Sequence, residues 1–402
     1  MKVIIRPSAI KGHITAPPSK SMAHRLLISA ALAEGSSVIS NVAESEDILA
    51  TISCLESLGA SIKEIESSEG EYKTLSIRGT DPAKSGESSL DCNESGSTLR
   101  FLIPVAALSE SEMKMSGSRT LMGRPLSVYE DIFKKQGLVL DKNDTELRVK
   151  GRLRSGEFVV PANISSQFIS GLLFALPLCE TDSVIRLDGK VESKPYIDMT
   201  MQALECYGVK SGWSDDHTII VPGSQSYKAS DMRVEGDWSN AAYLMALGAD
   251  VDGLDEKSLQ GDKVCTELFR TLDKGCAELD ISDCPDLGPA LMAYAAMNHG
   301  CTLKGTARLR IKESDRGSAM KEELAKFGVD VEIPENSIKV GCGLTEPSEA
   351  LYGHNDHRIV MALAALCTKT GGAIEGAEAV AKSFPDYFEK ISEIGAVIKK
   401  EH

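Results

Sequence analysis

The sequence predicts an α/β chain made of about six repeated helix-and-strand units, and three observations carry that prediction. The first is a recurring segment in which a helix-like stretch leads to an apolar residue, three more positions, a glycine and a β-prone run. It occurs at 55–59, 133–137, 204–208, 324–328 and 391–395, with a weaker copy ending at Gly275. Glycine just past a helix takes the left-handed conformation at low steric cost, so each copy reads as helix, C-terminal cap, strand. The second observation is that hairpins follow four of the copies, at 60–79, 138–151, 209–223 and 329–341, each with a polar turn. The third is the interval of roughly 50 to 80 residues, too long for a typical solenoid. Three units per domain would divide the chain after the third hairpin, with the polar stretch 224–230 as linker.

Composition bounds the class. The 402 residues, 42% hydrophobic and 26% charged, suffice for a large core and two domains. The stretch 168–179 is the most apolar and is broken by Ser170, Gly171 and Pro177, so no membrane span is expected. The first residues lack a long apolar region and a small-residue cleavage site, and a soluble cytoplasmic protein is expected. A net charge of -15 argues against a general nucleic-acid or anionic-membrane binder, which relies on a broad basic field. Any anion is therefore gripped locally. Ten cysteines are scattered among apolar neighbours without a C-x-x-C pair, which predicts reduced, mostly buried thiols. No metal is expected, although His354 and His357 stand three apart.

Several short runs have anion-gripping chemistry. Pro17-Pro18-Ser19-Lys20-Ser21-Met22-Ala23-His24-Arg25 leads into an apolar helix that Ser19 or Ser21 can cap. Its cations oppose the helix dipole, a conflict that favours a functional reason for them. Glu94-Ser95-Gly96-Ser97-Thr98-Leu99-Arg100 lets a ligand approach backbone amides around Gly96. Arg124 follows on a loop with Arg119 and Gly123. Ser165-Ser166-Gln167-Phe168 and Ser193-Lys194-Pro195-Tyr196 offer neutral donors. Residues 310–316 place three cations and two carboxylates where a strand-like stretch gives way to a helix. Asp356-His357-Arg358 and Lys382-Ser383-Phe384-Pro385 complete the set. Either of these last two can be a capped surface turn; the distribution of the runs over the chain suits a two-substrate enzyme with closing domains.

In this order, and with Arg124-Pro125, Ile197-Asp198, Lys312-Glu313-Ser314-Asp315-Arg316 and Phe384-Pro385-Asp386, these runs resemble the EPSP synthase family across nearly the whole chain. The resemblance implies a two-lobed inverse αβ barrel, each lobe built from three βαβαββ-type units. It implies a discontinuous domain of 1–17 and 236–402, a second of 18–235, and an active site in the interdomain cleft. The expected crossover thus moves to Glu235-Gly236-Asp237. It further implies a cofactor-free, metal-free monomer that transfers the enolpyruvyl group of phosphoenolpyruvate to the 5-hydroxyl of shikimate 3-phosphate.

By the same resemblance, Lys20, Ser21, Arg25, Ser165, Ser166, Gln167, Ser193, Asp286 and Lys312 face shikimate 3-phosphate. Lys20, Gly96, Arg124, Gln167, Arg316, Arg358 and Lys382 face phosphoenolpyruvate. Asp286 is the expected base for the attacking hydroxyl and Glu313 the acid and base at the enol methylene, with Lys20 and Lys312 as alternatives. Two departures stand out: Glu94-Ser95-Gly96-Ser97 replaces an Asn-Ala-Gly-Thr pattern, and Arg308 replaces an asparagine.

The rival acceptor is UDP-N-acetylglucosamine, used by the sister enolpyruvyl transferase. That enzyme carries a cysteine where this chain has Arg119 and lacks the Lys-Glu-Ser-Asp-Arg run. RNA 3′-terminal phosphate cyclase shares related units, but the acidic charge opposes it. The Ser318-Ala319-Met320-Lys321 and Lys369-Thr370-Gly371 matches to serine β-lactamase elements lack a Ser-Asp-Asn partner. A catalytically dead binding protein would require loss of Asp286, Glu313 or the lysines, all of which are present.

Overall fold

The computed structural model describes residues 1–66 and 72–401. The tip of the expected 60–79 hairpin falls outside the described residues. Two compact units emerge, one of Met1–Ser19 with Gly236–His402 and one of Lys20–Glu235.

Three sheets repeat one strand order. Ser88–Asp91 pairs in parallel with Met113–Ser116, which pairs antiparallel with Glu146–Lys150, itself antiparallel to Val139–Lys142. The same order recurs in Glu157–Pro161, Ser183–Asp188, Thr218–Val221 and Gly212–Asp215. It recurs again in Ala277–Asp280, Cys301–Lys304, Ser337–Val340 and Val331–Glu332. A helix follows each of the first two strands, and a hairpin closes each repeat.

Two more sheets reach the same order by borrowing a strand. Met232–Arg233 adds in parallel to Ser36–Val42. Lys2–Arg6 inserts between Gly372–Glu375 and Val397–Glu401. A sixth element is reduced to the parallel pair His13–Thr15 and Asp250–Asp252. The glycines that end the helical copies, Gly59, Gly137, Gly208, Gly275, Gly328 and Gly395, all have positive φ, the conformation that made them legible in the sequence.

Each unit has its own core. Helices Gly96–Ala106 and Ser166–Ala175 in one, and Trp238–Leu247, Gly288–Met297 and His357–Thr370 in the other, are buried on nearly every face. Such helices belong inside, with sheets as cover. The strands accordingly alternate, as in Ser183–Asp188, where one side is buried and the other faces water. Close helix packing explains Gly171, where a Cβ would stand 2.4 Å from the Arg100 carbonyl and 2.2 Å from the Tyr129 hydroxyl.

Two local expectations change. The 224–230 stretch is no free linker: Tyr227–Lys228 pairs with Ala33–Glu34, and the buried Tyr227 hydroxyl donates to the Phe174 carbonyl at 2.8 Å. One aromatic ring is enough to anchor a polar segment. The strand-like residues before Lys312 form a 3-10 helix, Ala307–Ile311. The apolar 168–179 stretch is core, and no helix among the described residues is long and apolar enough to cross a membrane. The ten cysteines are free, seven of them buried.

Candidate active site

In the Lys20–Glu235 unit, the candidate residues gather at helix N-termini. Lys20 and Ser21 open Lys20–Ala31, Gly96 opens Gly96–Ala106, and Ser165 caps Ser166–Ala175 by accepting from the Gln167 amide at 3.3 Å. Ser21 thus lies inside the first turn instead of capping it. Ser193 precedes Lys194–Cys206 in a left-handed conformation, φ 57°. Unpaired amides and the helix dipole make such ends favourable for anions.

Side chains tie these ends together. Arg25 is buried and donates to Thr200 Oγ1 at 2.9 Å, the Tyr196 carbonyl at 2.9 Å and the Ser21 carbonyl at 2.6 Å, with its guanidinium over the Phe101 ring. Burial pulls its pKa down to about 10, so it remains a cation at neutral pH. Lys20 Nζ pairs with Asp47 at 2.7 Å. Gln167 is held from both ends: Arg100 Nη1 donates to its Oε1 at 2.7 Å, and its Nε2 donates to Ser97 Oγ at 3.0 Å. A Cβ on Gly96 would meet Arg124 Nη1 at 2.6 Å, so the glycine leaves room for that guanidinium. Arg124 Nε is buried without a hydrogen-bond partner.

In the other unit, the buried Arg316 organises three carboxylates. Its Nη1 donates to Asp286 Oδ1 at 2.6 Å, its Nη2 to Glu313 Oε2 at 2.7 Å, and its Nε to Asp356 Oδ2 at 2.9 Å. Lys312 Nζ lies 3.0 Å from Asp286 Oδ1, and Arg358 Nη2 3.9 Å from Asp286 Oδ2. Arg358 is buried over the Tyr243 ring, and its Nε and Nη1 have no hydrogen-bond partner. Leaving a buried guanidinium half satisfied is costly, and an anionic ligand relieves that cost. Lys382, also buried, donates to the Asn355 carbonyl at 2.7 Å.

The electrostatics follow from burial set against charge. Burial alone would raise the Asp286 pKa, but Lys312, Arg316 and Arg358 outweigh it and hold the carboxyl well below its ordinary range. Lys312 is lowered, first by burial and then by Arg316 and Arg308, against the pull of Asp286 and Glu313. Arg316 and Arg358 are raised because their carboxylate neighbours exceed the burial penalty. Asp286 is therefore ionised and Lys312 gives up its proton more readily than an exposed lysine.

The runs singled out in the sequence are held by further residues that sequence reasoning missed. Ser314 donates to Asp356 Oδ2 at 2.9 Å, while Asp315 caps the following helix by accepting from the Ser318 amide. Asp356 is fully buried and also accepts from the Arg358 amide at 2.9 Å. Its negative charge between two arginines was the available signal, since an Asp-His-Arg run needs a reason to bury its acid. Asp47 and Arg100 carry no such local sign. Arg308 is buried and donates to the Ser282 carbonyl, so it ties its 3-10 helix to the turn that precedes Asp286. Arg310 is exposed, bonded to the Glu335 carbonyl.

Comparison with known proteins agrees over the full chain. A family model described as EPSP synthase (3-phosphoshikimate 1-carboxyvinyltransferase) matches residues 4–267 and 247–391. A 3-phosphoshikimate 1-carboxyvinyltransferase of Clostridium perfringens is 41% identical over 429 residues, covering 100% of both chains. One of Clostridium kluyveri is 40% identical over 427 residues, covering 98% of each. Among solved structures, an EPSP synthase from Acinetobacter baumannii aligns with a TM-score of 0.78 at 23% identity, over 99% of this chain and 100% of that one.

Proposed function

Because the chain belongs to the EPSP synthase family, we infer that it carries out the 3-phosphoshikimate 1-carboxyvinyltransferase reaction of the shikimate pathway. The full-length match to curated enzymes at about 40% identity is the observation that carries this reading. The enolpyruvyl group of phosphoenolpyruvate passes to the 5-hydroxyl of shikimate 3-phosphate, and phosphate leaves. Each unit is read as one lobe of an inverse αβ barrel.

Chemically, addition needs a proton on the enol methylene carbon and a base for the attacking hydroxyl. Elimination then removes a methyl proton and expels phosphate. Asp286 takes the hydroxyl proton in this reading, and its pairing with Lys312, Arg316 and Arg358 supplies the control. Substrate phosphate and carboxylate groups compete for those cations, so arrival of substrate frees the Asp286 carboxylate and raises its basicity. Glu313 serves the methylene carbon, with Arg316 fixing its carboxylate. Lys312, with its lowered pKa, is the alternative donor. Arg124, Arg316, Arg358 and Lys382 hold phosphoenolpyruvate, and the open Nε and Nη1 of Arg358 leave donors for its anionic groups. Lys20, Ser21, Arg25, Ser165, Ser166, Gln167 and Ser193 serve shikimate 3-phosphate, with Lys20 and Gln167 reaching both substrates and Gly96 keeping the donor side open.

A phosphate-release assay tests the reading. Phosphate is expected only when phosphoenolpyruvate and shikimate 3-phosphate are supplied together. Turnover with UDP-N-acetylglucosamine and none with shikimate 3-phosphate would overturn it.

A further inference from the structure

Glu323 is a fully buried carboxylate that the reaction scheme leaves unused. It lies on the Arg316–Lys326 helix, two turns beyond Arg316. Its Oε2 accepts from the Tyr352 amide at 3.0 Å and its Oε1 faces His354 Nε2 at 2.9 Å, while Lys326 Nζ reaches both oxygens at 3.0 and 3.1 Å. Burial alone would raise its pKa, yet these hydrogen bonds overcome the burial and lower it, so it is ionised. Glu322, Glu323 and His354 bring their ligand atoms within 4.8 Å of one another. Both Glu323 oxygens are already occupied, so the trio is an ion-paired turn and not a cation cage.

What it clamps is unusual backbone. His354 and Asn355 are consecutive non-glycine residues at φ 50° and 52°, a region that costs energy unless the surroundings enforce it. Immediately after Glu323's contacts on this segment come two groups aimed at the candidate donor site. The Asn355 carbonyl receives Lys382 Nζ, and the Asp356 carboxylate receives Arg316 Nε. The turn is thus pinned to the same helix twice, by Glu323 near one end and by Arg316 at the other. The Tyr352 and His354 rings meet edge to face across it, centroids 5.1 Å apart.

We propose that Glu323 is a positioning residue for phosphoenolpyruvate: by holding the Tyr352 amide and His354, it fixes the left-handed turn that aims Lys382 and Arg316. The proposal rests on the functional reading above. Because the clamp bears on cations assigned to the donor, its loss raises the KM for phosphoenolpyruvate and leaves shikimate 3-phosphate binding alone.

Steady-state kinetics on the full chain test this. Glu323→Gln is expected to raise the phosphoenolpyruvate KM about 10- to 100-fold, the scale of a misplacement near 1 Å, with the shikimate 3-phosphate dissociation constant, measured by titration calorimetry, within about 2-fold of the wild-type value. His354→Phe, which keeps the ring and removes the hydrogen bond, is expected to move the same constant in the same direction, and it serves alone if Glu323→Gln does not fold. A purely structural role would lower the melting temperature and the active fraction, hence the apparent kcat, with both KM values unmoved, and that result overturns the proposal. Wild-type chain that releases no phosphate from the two substrates overturns the functional reading instead, and the positioning role with it.

Discussion

Arg316 Nη1 lies 2.6 Å from Asp286 Oδ1, so the expected base is held by a cation assigned to the donor. The two groups, thirty residues apart in sequence, form one electrostatic unit that keeps the Asp286 carboxyl ionised. Removing the carboxylate tests this. Asp286→Asn is expected to lower kcat by about 10² to 10⁴, the usual range for a lost general base, measured by phosphate release at saturating substrates.

The same pairing predicts a pH dependence of stability. A carboxyl whose folded pKa is depressed stabilises fully above its unfolded value, near 4, and loses that contribution as pH falls toward its folded value. Wild-type chain should therefore lose stability below about pH 4 more steeply than Asp286→Asn. Urea unfolding at a series of acidic pH values reads the difference in slope, and parallel curves would contradict it.

Glu313→Gln keeps an oxygen that accepts from Arg316, as Glu313 Oε2 does now at 2.7 Å. Turnover is expected to fall by about 10² to 10⁴ while both substrates bind nearly as before. A loss of binding instead would make Glu313 an organiser of neighbouring cations, a distinction that titration calorimetry makes.

Two arginines that look alike should respond unequally. Arg316→Gln abandons three carboxylates and is expected to destabilise the fold by about 3 to 5 kcal/mol. Arg358→Gln removes a buried guanidinium whose Nε and Nη1 have no partner. It should raise the KM for phosphoenolpyruvate about 10-fold or more while costing less stability than Arg316→Gln, because Asp286 keeps Lys312 and Arg316 as partners. Thermal unfolding and steady-state kinetics on the pair separate the two.

Gly96→Ala places a methyl where Arg124 Nη1 now sits 2.6 Å away. The guanidinium is the far end of a flexible side chain and can swing aside, so stability should change by less than about 1 kcal/mol. Phosphoenolpyruvate binding should weaken about 10-fold through the displaced cation, read from its KM.

Much of the fold was legible because the repeat advertises itself in single residues. Gly59, Gly137, Gly208, Gly328 and Gly395 each terminate a helix where a side chain is disfavoured, and the hairpins behind four of them are local. What stayed hidden is non-local. Nothing near Met232–Arg233 says that it pairs with Ser36–Val42, nor does Lys2–Arg6 announce its neighbours near residues 374 and 399. In the candidate site, composition made 310–316 conspicuous, but nothing beside Ser314 announces its partner Asp356, 42 residues away. Lys20 carries no trace of Asp47, because the ion pair depends on how two helices meet. Cations leave a sequence signature through their clustering; the carboxylates that restrain them are dispersed.

The borrowed strands also set an order of events during synthesis. Residues 20–235 form their compact unit from contiguous chain, whereas the Lys2–Arg6 strand waits for Gly372–Glu375 and Val397–Glu401 before its sheet exists. The strand thus emerges long before its partners and spends the synthesis of the intervening chain as an unpaired β segment. Its alternation of Val3 and Ile5 with Lys2 and Arg6, cations at both ends of an apolar run, is what a strand obliged to wait needs to remain unaggregated.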